Sequence, residues 1–405
     1  MKKNWIIGID VAGNGIHYQI QNAEGLPLSD GSAAKSMDGY QSFTRACKQA
    51  GVIWKNCLIV IEATGRHHLP WCERLVEEGA SVYALNPLLT KRLYSSRNAI
   101  RDNKDDRLDS HSLSEIGRMH GDELERFAYT SQSSKIGLQT LVSTRKAIRN
   151  QCTNLLKSGG DLLALAFPEL REIELGLTHV GFRRLLLRAP TPAKIAALPE
   201  CELQRVVGVK SKRLRELAQN CFTPEPITQA CEDSLLSLIE AIEDLSRHLK
   251  NIEHTIEKTL REDANLADRH TVELIRSIPG FGEKTAPVLV AFLPTGFEQW
   301  GTKKQIVAKL QAYFGFDPRR RESGSFKGKV KISKRGIGIV RTSLFQASFC
   351  SMSHDPKLRQ YYDKKKAEGD HHKKVIIDLM RKNLKRVVAV LINQKEFQNL
   401  DETAA

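Results

Sequence analysis

Paired cysteines are missing from this 405-residue chain. Its eight cysteines (Cys47, Cys57, Cys72, Cys152, Cys201, Cys221, Cys231 and Cys350) are scattered, with no C-x-x-C pair and no histidine at zinc-finger spacing. That excludes a zinc ribbon and leaves no disulfide framework to read, so the thiols are expected to be reduced, as in a cytoplasmic protein. Long apolar runs are missing too. The opening MKKNWIIGID carries only a short apolar stretch interrupted by Gly8 and ended by Asp10, too short for a signal-peptide core, and it reads as a first β-strand. With no apolar span and no basic amphipathic anchor, no membrane partner is expected. Acid is the third shortage: 47 Asp and Glu stand against 62 Lys and Arg, a formal charge of +15 and a pI near 9.4. Such a surplus favours a polyanion, because each Lys or Arg set against a phosphate releases a condensed counterion.

What is present is enough for two or three packed domains, at roughly 150 residues per domain. Residues 5–11 (WIIGIDV), 57–62 (CLIVIE) and 81–85 (SVYAL) are β-branched runs that read as strands of a buried sheet, with helical pattern at 40–50 and 68–79 between them. The first 110 residues therefore predict an α/β layer structure. From about 111 to 175 the pattern is helical, and from 189 to 228 short helices are punctuated by prolines 190, 192, 199, 224 and 226. Leu235, Leu238, Ile242, Leu245, Leu249, Ile252 and Ile256 then recur in steps of three and four. That stripe fits either one amphipathic helix packed on its own domain or a self-associating coiled coil. The boundaries that follow are 1–125 for the α/β domain, 126–267 for a helical and coiled-coil linker with an insertion, 268–396 for a mainly α carboxy-terminal domain, and 397–405 for a tail.

Four carboxylates draw attention. Asp10 ends the first strand inside GIDVAGNG, and Glu62 ends the second inside IVIEATG. If those strands are parallel neighbours, both residues emerge at the rim where open α/β sheets place ligands. In KDDRLDSHSL, Asp106 and Asp109 stand three apart on a predicted helix and share a face. Phosphodiester chemistry needs such hard oxygen ligands, since Mg²⁺ ions about 4 Å apart stabilise the attacking and leaving oxygens. The plainer alternative is that Asp105, Asp106 and Asp109 solvate a helix start and pair with Lys104 or Arg107. His67-His68 and His371-His372 read as polar surface rather than metal ligands.

The carboxy-terminal third is built for phosphate. SIPGFGEKTAPVLVAFL (277–293) reads as a helix-hairpin-helix, with Gly280, Gly282 and Lys284 in a turn whose amides would face a DNA backbone, or else as a plain helical hairpin. Residues 319–341 then hold nine cations (Arg319, Arg320, Arg321, Lys327, Lys329, Lys331, Lys334, Arg335 and Arg341) against Glu322, a net charge of +8. Ser323 and Ser325 lie among them; either could act as a nucleophile if its alkoxide were stabilised, or serve as a turn residue or phosphate donor. Residues 357–386 add eleven Lys or Arg against four acids, with Val375, Ile376, Leu379, Met380, Leu384 and Val387 at helical spacing.

Taken together, GIDVA, IEATG, KDDRLDS, SIPGFGEKTA, DPRRRESGS and ISKRG, in this order, resemble the DEDD-type insertion-sequence transposases over about 10–110 and 270–390. The resemblance implies an RNase H-like amino-terminal domain related to Holliday-junction resolvases and a carboxy-terminal transposase domain with a catalytic serine. It carries Asp10, Glu62, Asp106 and Asp109 over as Mg²⁺ ligands, with Mn²⁺ as the substitute ion. Ser323, the first serine of RRRESGS, would attack the DNA phosphate to form a phosphoserine link, with the metal site helping from another protomer. Partners so implied are donor and target DNA, a structured noncoding guide RNA and further copies in a dimer or tetramer, in the bacterial cytoplasm at the nucleoid. A pilin-gene invertase is among the relatives. Asp105 stands where many members carry Thr and Ser110 where many carry Ala; neither removes a ligand. Two rivals remain: a junction-resolving nuclease or invertase that needs no guide RNA, and a nucleic-acid-binding scaffold without catalysis. The 160–230 insertion has no match in the resemblance.

Overall fold

The computed structural model describes residues 3–63, 65–87, 89, 90, 93, 106–129, 133–262, 266–319, 322, 323, 326, 327 and 331–398; for 106–108, 125–127, 133, 134, 266–268, 322, 323, 326 and 327 it describes the backbone alone. The chain divides into two units, Met1–Ser133 and Ser134–Ala405. The predicted linker and the predicted carboxy-terminal domain thus fall mostly within one unit.

The first unit is α/β. Strands β1 (Trp5–Val11), β2 (Gly15–Asn22), β3 (Pro27–Ala34), β4 (Cys57–Glu62) and β5 (Ser81–Leu85) form one sheet in the order β3-β2-β1-β4-β5. The first three form an antiparallel meander, and β4 and β5 run parallel to β1. Sequence reading found β1, β4 and β5 and missed β2 and β3. In β2 the alternation of Ile16, Tyr18 and Ile20, all buried, is the signal that could have been used. β3 opens with Pro27, which lacks an N–H and suits the edge position it occupies.

Because side chains alternate across a strand, the sheet buries two faces. Ile7, Ile9, Val11, Ile59 and Ile61 pack with Phe43 of α1 (Met37–Gln49) and with Trp71, Cys72 and Leu75 of α2 (Leu69–Glu77). Ile6, Leu58, Val60, Tyr83 and Leu85 pack on the other side with Leu113 and Ile116 of α3 (Asp106–His120). Each fully buried aliphatic of this kind contributes about 1.5–3 kcal/mol. Ser36 caps α1, its hydroxyl accepting from the Gly39 N–H at 3.1 Å. Burial pushes the Cys47 thiol up to about 12 and raises Cys57 and Cys72 as well, so these thiols behave as small apolar residues. All eight cysteines are free.

The second unit is mainly helical. α4 (Ser133–Ala166) and α9 (Glu225–Glu262) lie antiparallel: Leu138 and Val142 share a core with Ile256 and Leu260, while Leu163 shares another with Leu235, Ile239 and Ile242. Between them α5 (Val180–Arg188), α6 (Pro192–Ala196), α7 (Glu200–Val207) and α8 (Ser211–Gln219) make a small bundle on Phe167, Phe182, Leu186 and Leu214. Its buried Arg183 is paired with Glu243 at 2.6 Å and donates to the Leu177 carbonyl at 2.6 Å. The heptad stripe of the sequence is therefore real, and within the chain its buried positions Leu235, Ile242 and Ile256 face two cores in turn.

The larger core gathers α10 (Leu266–Arg276), α11 (Ala286–Phe292), α12 (Lys303–Phe314), α13 (Gly338–His354) and α15 (His372–Asn393). α12 opens on a capping box between Thr302 and Gln305. α14 (Pro356–Ala367) docks through Leu358 on Ile376 and Leu379. Asp355, 1% exposed, caps α14 and forms an ion pair with Arg386 at 2.6 Å. Among the described residues no helix is long and apolar enough to cross a membrane.

Candidate functional site

Register decides what β1 and β4 present at their carboxyl ends. The parallel pairing runs from Trp5↔Cys57 to Ile9↔Ile61, so the next step sets Asp10 beside Glu62. Strands lie about 4.8 Å apart, and equal parity puts both side chains on one face of the sheet. That is the α3 face, since Ile6, Gly8, Leu58 and Val60 precede them on it. Glu62 is oriented by Thr90, a buried residue whose hydroxyl lies 2.9 Å from a Glu62 carboxylate oxygen and 3.0 Å from the Pro87 carbonyl, either of which can accept its proton.

α3 comes unusually close to this face. A Cβ added at Gly8 would lie 2.0 Å from the Ser110 carbonyl oxygen and 2.3 Å from the Ser114 nitrogen, while one at Gly117 would meet Ile6, Leu58 and Val60 at 2.8–2.9 Å. The helix thus runs back along β1, with Gly117 over Ile6 and the Ser110–Ser114 turn over Gly8. Two strand residues advance about 6.6 Å and four helix residues about 6 Å, so one more turn back from Leu113 carries Asp109 to the level of Asp10. Asp109 shares the stripe of Leu113 and Ile116, and Asp106 stands at the start of the helix, three residues before it. Sequence reading named the carboxylates but missed Gly8, Gly117 and Thr90; a glycine inside an apolar strand run is the available sign of close approach.

Asp10, Glu62 and Asp109 offer hard oxygen, the donor type Mg²⁺ prefers, but the structure does not gather the three into one cluster. Among the described residues no three His, Cys, Asp or Glu side chains are gathered closely enough to hold a metal, and the Asp106 side chain lies outside them. Asp10 and Asp109 each have further interactions.

The described residues of the basic stretch include two short antiparallel ladders. β6 (Pro318–Arg319) pairs with β9 (Lys331–Ile332), and β7 (Glu322–Ser323) pairs with β8 (Phe326–Lys327), with Ser323 opposite Phe326. Ser323 ends β7 as a paired residue. Arg320, Arg321, Lys329 and Ser325 lie outside the described residues, as does the side chain of Lys327. Arg319, Lys331, Lys334 and Arg335 are exposed. Arg341 is half-buried, and its Nη1 donates to the Phe314 and Gly336 carbonyls at 2.9 and 2.7 Å. It braces the end of the basic segment, a role that the count of cations did not anticipate.

Gly280 turns with φ at +90°, and a Cβ there would sit 2.4 Å from both the Ala347 carbonyl and the Ser351 hydroxyl, so packing against α13 as well as backbone demands glycine. The buried Asn383 donates to the Ser348 and Ser351 hydroxyls at 3.1 and 3.0 Å, and the Ser351 hydroxyl lies 2.7 Å from the Pro279 carbonyl that accepts from it. The Gly282 N–H donates to the Thr285 hydroxyl at 3.1 Å. Lys284 is exposed and 3.7 Å from Glu253. Three of the four histidines in the two His-His pairs take structural places: His371 caps α15, His372 contacts the Tyr362 hydroxyl at 2.7 Å and His68 is buried, whereas His67 is exposed as the sequence reading expected.

A five-stranded α/β unit with rim carboxylates, followed by a basic helical unit, is the arrangement of a protein that processes nucleic-acid strands. Comparison with known families makes the class specific. A model described as "Transposase", for the DEDD-type IS110 proteins, matches residues 7–168, and one described as "Transposase IS116/IS110/IS902 family" matches residues 272–363. The chain belongs to the DEDD-type IS110 transposase family. It is 24% identical over 293 residues to the IS110 insertion-element protein of Streptomyces coelicolor, covering 71% of this chain and 70% of that one. Over 350 residues it is 24% identical to the transposase for insertion sequence element IS1111A of Coxiella burnetii, 84% of this chain and 79% of the relative. The pilin gene-inverting protein of Moraxella bovis is 30% identical over 130 residues, 32% of this chain and 39% of its own length. The protein is accordingly a transposase/recombinase, a class that binds DNA and cuts and rejoins it.

Proposed function

We propose that this transposase cuts and rejoins DNA through a phosphoserine formed on Ser323, with Asp10, Glu62, Asp106 and Asp109 as a Mg²⁺-binding set. The observation that supports it is the in-register pair Asp10 and Glu62 on the sheet rim, with Asp109 of α3 brought to their level by the glycine contact at Gly8. The meander followed by two parallel strands supports an RNase H-like reading of that unit. Mg²⁺ bound there supplies stabilisation of the charge on the attacking and leaving oxygens. Mn²⁺ has the same preference for oxygen ligands and would substitute.

In this reading Ser323 gives up its hydroxyl proton, its Oγ bonds to phosphorus, and a DNA oxygen leaves and takes up a proton. A DNA hydroxyl then attacks the phosphoserine, which restores the serine and makes the new phosphodiester. The exposed cations Arg319, Lys331, Lys334 and Arg335 hold the strands by their phosphates, as does the 279–285 turn in a helix-hairpin-helix role. The charge of +15 suits a second polyanion, an element-encoded structured guide RNA, and the protein acts as a homo-oligomer. Ser323→Ala is expected to abolish the covalent adduct trapped on a nicked DNA substrate while leaving DNA binding intact. An adduct retained in that variant overturns the serine assignment, and cut DNA released with no adduct in the parent protein marks hydrolysis by water. RNA that copurifies with the protein, sequenced after crosslinking, tests the guide.

A further inference from the structure

A groove in the helical unit, about 240 Å³ in volume, lies between α4, α11 and α13 and involves none of the site residues named above. Val142, Val288 and Ile339 make its apolar floor. Arg145, Lys146 and Arg149 on α4 bring three cations to one wall, with Arg145 and Arg149 a turn apart. Thr342 and Gln346 on α13 offer neutral hydrogen-bonding groups opposite, and no carboxylate is among the lining residues.

The groove also has a direction. Arg145 donates to the Lys284 carbonyl at 2.5 Å, which ties one end to the glycine turn before α11. Ile339 and Thr342 belong to the first turns of α13, directly after the basic hairpin segment. A strand lying in the groove would therefore lead from the turn toward that segment. Burial lowers the Arg145 guanidinium from its ordinary value, with Glu253 as an opposing charge and Arg149 as a like one. A desolvated cation facing another cation is a position that an anion relieves. The volume is below the roughly 300–1,000 Å³ of a pocket that encloses a whole small ligand, and nearer to one nucleotide of a longer polymer. Cations along a rim with an apolar floor between them match phosphates alternating with sugar and base.

We propose that this groove binds the phosphodiester backbone of a single nucleic-acid strand, with Lys146 and Arg149 contacting phosphates and Arg145 as a positioning residue. The proposal rests on the reading of the chain as a nucleic-acid-processing protein and is independent of Ser323. The test is fluorescence anisotropy on the full chain, with a labelled single-stranded DNA and an RNA of the same sequence, over a series of salt concentrations. Replacing both contacts (Lys146→Gln with Arg149→Gln) is expected to reduce the slope of log affinity against log salt by about 1.4, at about 0.7 per phosphate contact on a single strand. A reduction for DNA alone assigns the groove to DNA, for RNA alone to RNA, and for both to either strand. Unchanged slopes with both probes overturn the proposal. The charge-conserving pair Lys146→Arg with Arg149→Lys is expected to keep the parental slope; if it loses slope equally, charge is not the cause and the proposal also fails. Ser323→Ala is expected to leave the slope unaltered, so loss of this inference and loss of the serine mechanism are separately visible.

Discussion

Gly8→Ala is the sharpest probe of how the carboxylate rim is built. The added Cβ would start 2.0 Å from the Ser110 carbonyl and 2.3 Å from the Ser114 nitrogen, and both obstacles are backbone, so no side-chain rotation relieves them. Reaching an ordinary 3.4 Å contact means drawing α3 away by about 1.4 Å. Overpacking of this kind costs about 1–3 kcal/mol, and with a urea dependence of about 1–3 kcal/mol per molar the unfolding midpoint of the first unit falls by roughly 1 M. The effect on chemistry should be larger than on stability. Active-site groups tolerate about 0.5 Å of displacement, and the proposed ligands Asp106 and Asp109 travel with α3, so under the proposed mechanism DNA cleavage is expected to drop about 100-fold at temperatures where the variant is fully folded. The assay pairs a urea titration followed by circular dichroism with single-turnover cleavage of labelled DNA. Gly13→Ala, where an added Cβ meets nothing within 4 Å, serves as the control and should change neither reading. A Gly8→Ala protein with parental midpoint and parental rate would refute the close-approach argument.

Two further outcomes follow from the same unit. Thr90→Val removes the hydroxyl 2.9 Å from Glu62 while conserving shape; if Glu62 is a Mg²⁺ ligand as proposed, the Mg²⁺ concentration for half-maximal cleavage rises about 10–100-fold, with the rate recovering at saturating metal, and an unaltered Mg²⁺ titration would sink the positioning role. The bidentate hydrogen bonds from Arg118 hold the Glu115 carboxyl at about 2 against an ordinary 4.5, with burial opposing. A depressed folded value means that the stabilisation is present above about 4.5 and lost as pH falls from there through about 2. Arg118→Ala should therefore begin acid unfolding at a higher pH than the parent, checked by circular dichroism across that window; coincident acid transitions would contradict it.

The legible parts of the fold are those whose signal is local. Ile6 to Val11 and Leu58 to Ile61 announce buried strands because nearly every position is apolar. β3, PLSDGSAA, carries no such signal, since it sits at an exposed edge and takes its place from hydrogen bonds to β2. The rim carboxylates were readable because strand ends are marked by the close of an apolar run. Gly8, Gly117 and Thr90 were not singled out, because their roles depend on which helix crosses which strand. Likewise the 235–256 stripe was visible, yet whether Leu235 and Ile256 face a copy or their own chain is decided by α4, some hundred residues earlier. Ser323 looked like part of a basic loop; its pairing with Phe326 arises in ladders too short to show a period.

The two cores on the α4 and α9 pair differ in how soon they can form. The small bundle draws on residues 152–242, a sequence-local set. The larger core joins Leu138 to Leu391, so its loop closures span most of the unit. During synthesis the bundle can fold and fasten α4 to α9 while the rest is still being made, whereas the core that carries the basic hairpin waits for the helix ending at Asn393. The fold that supports the basic hairpin is thereby delayed until the residues through Asn393 have been made.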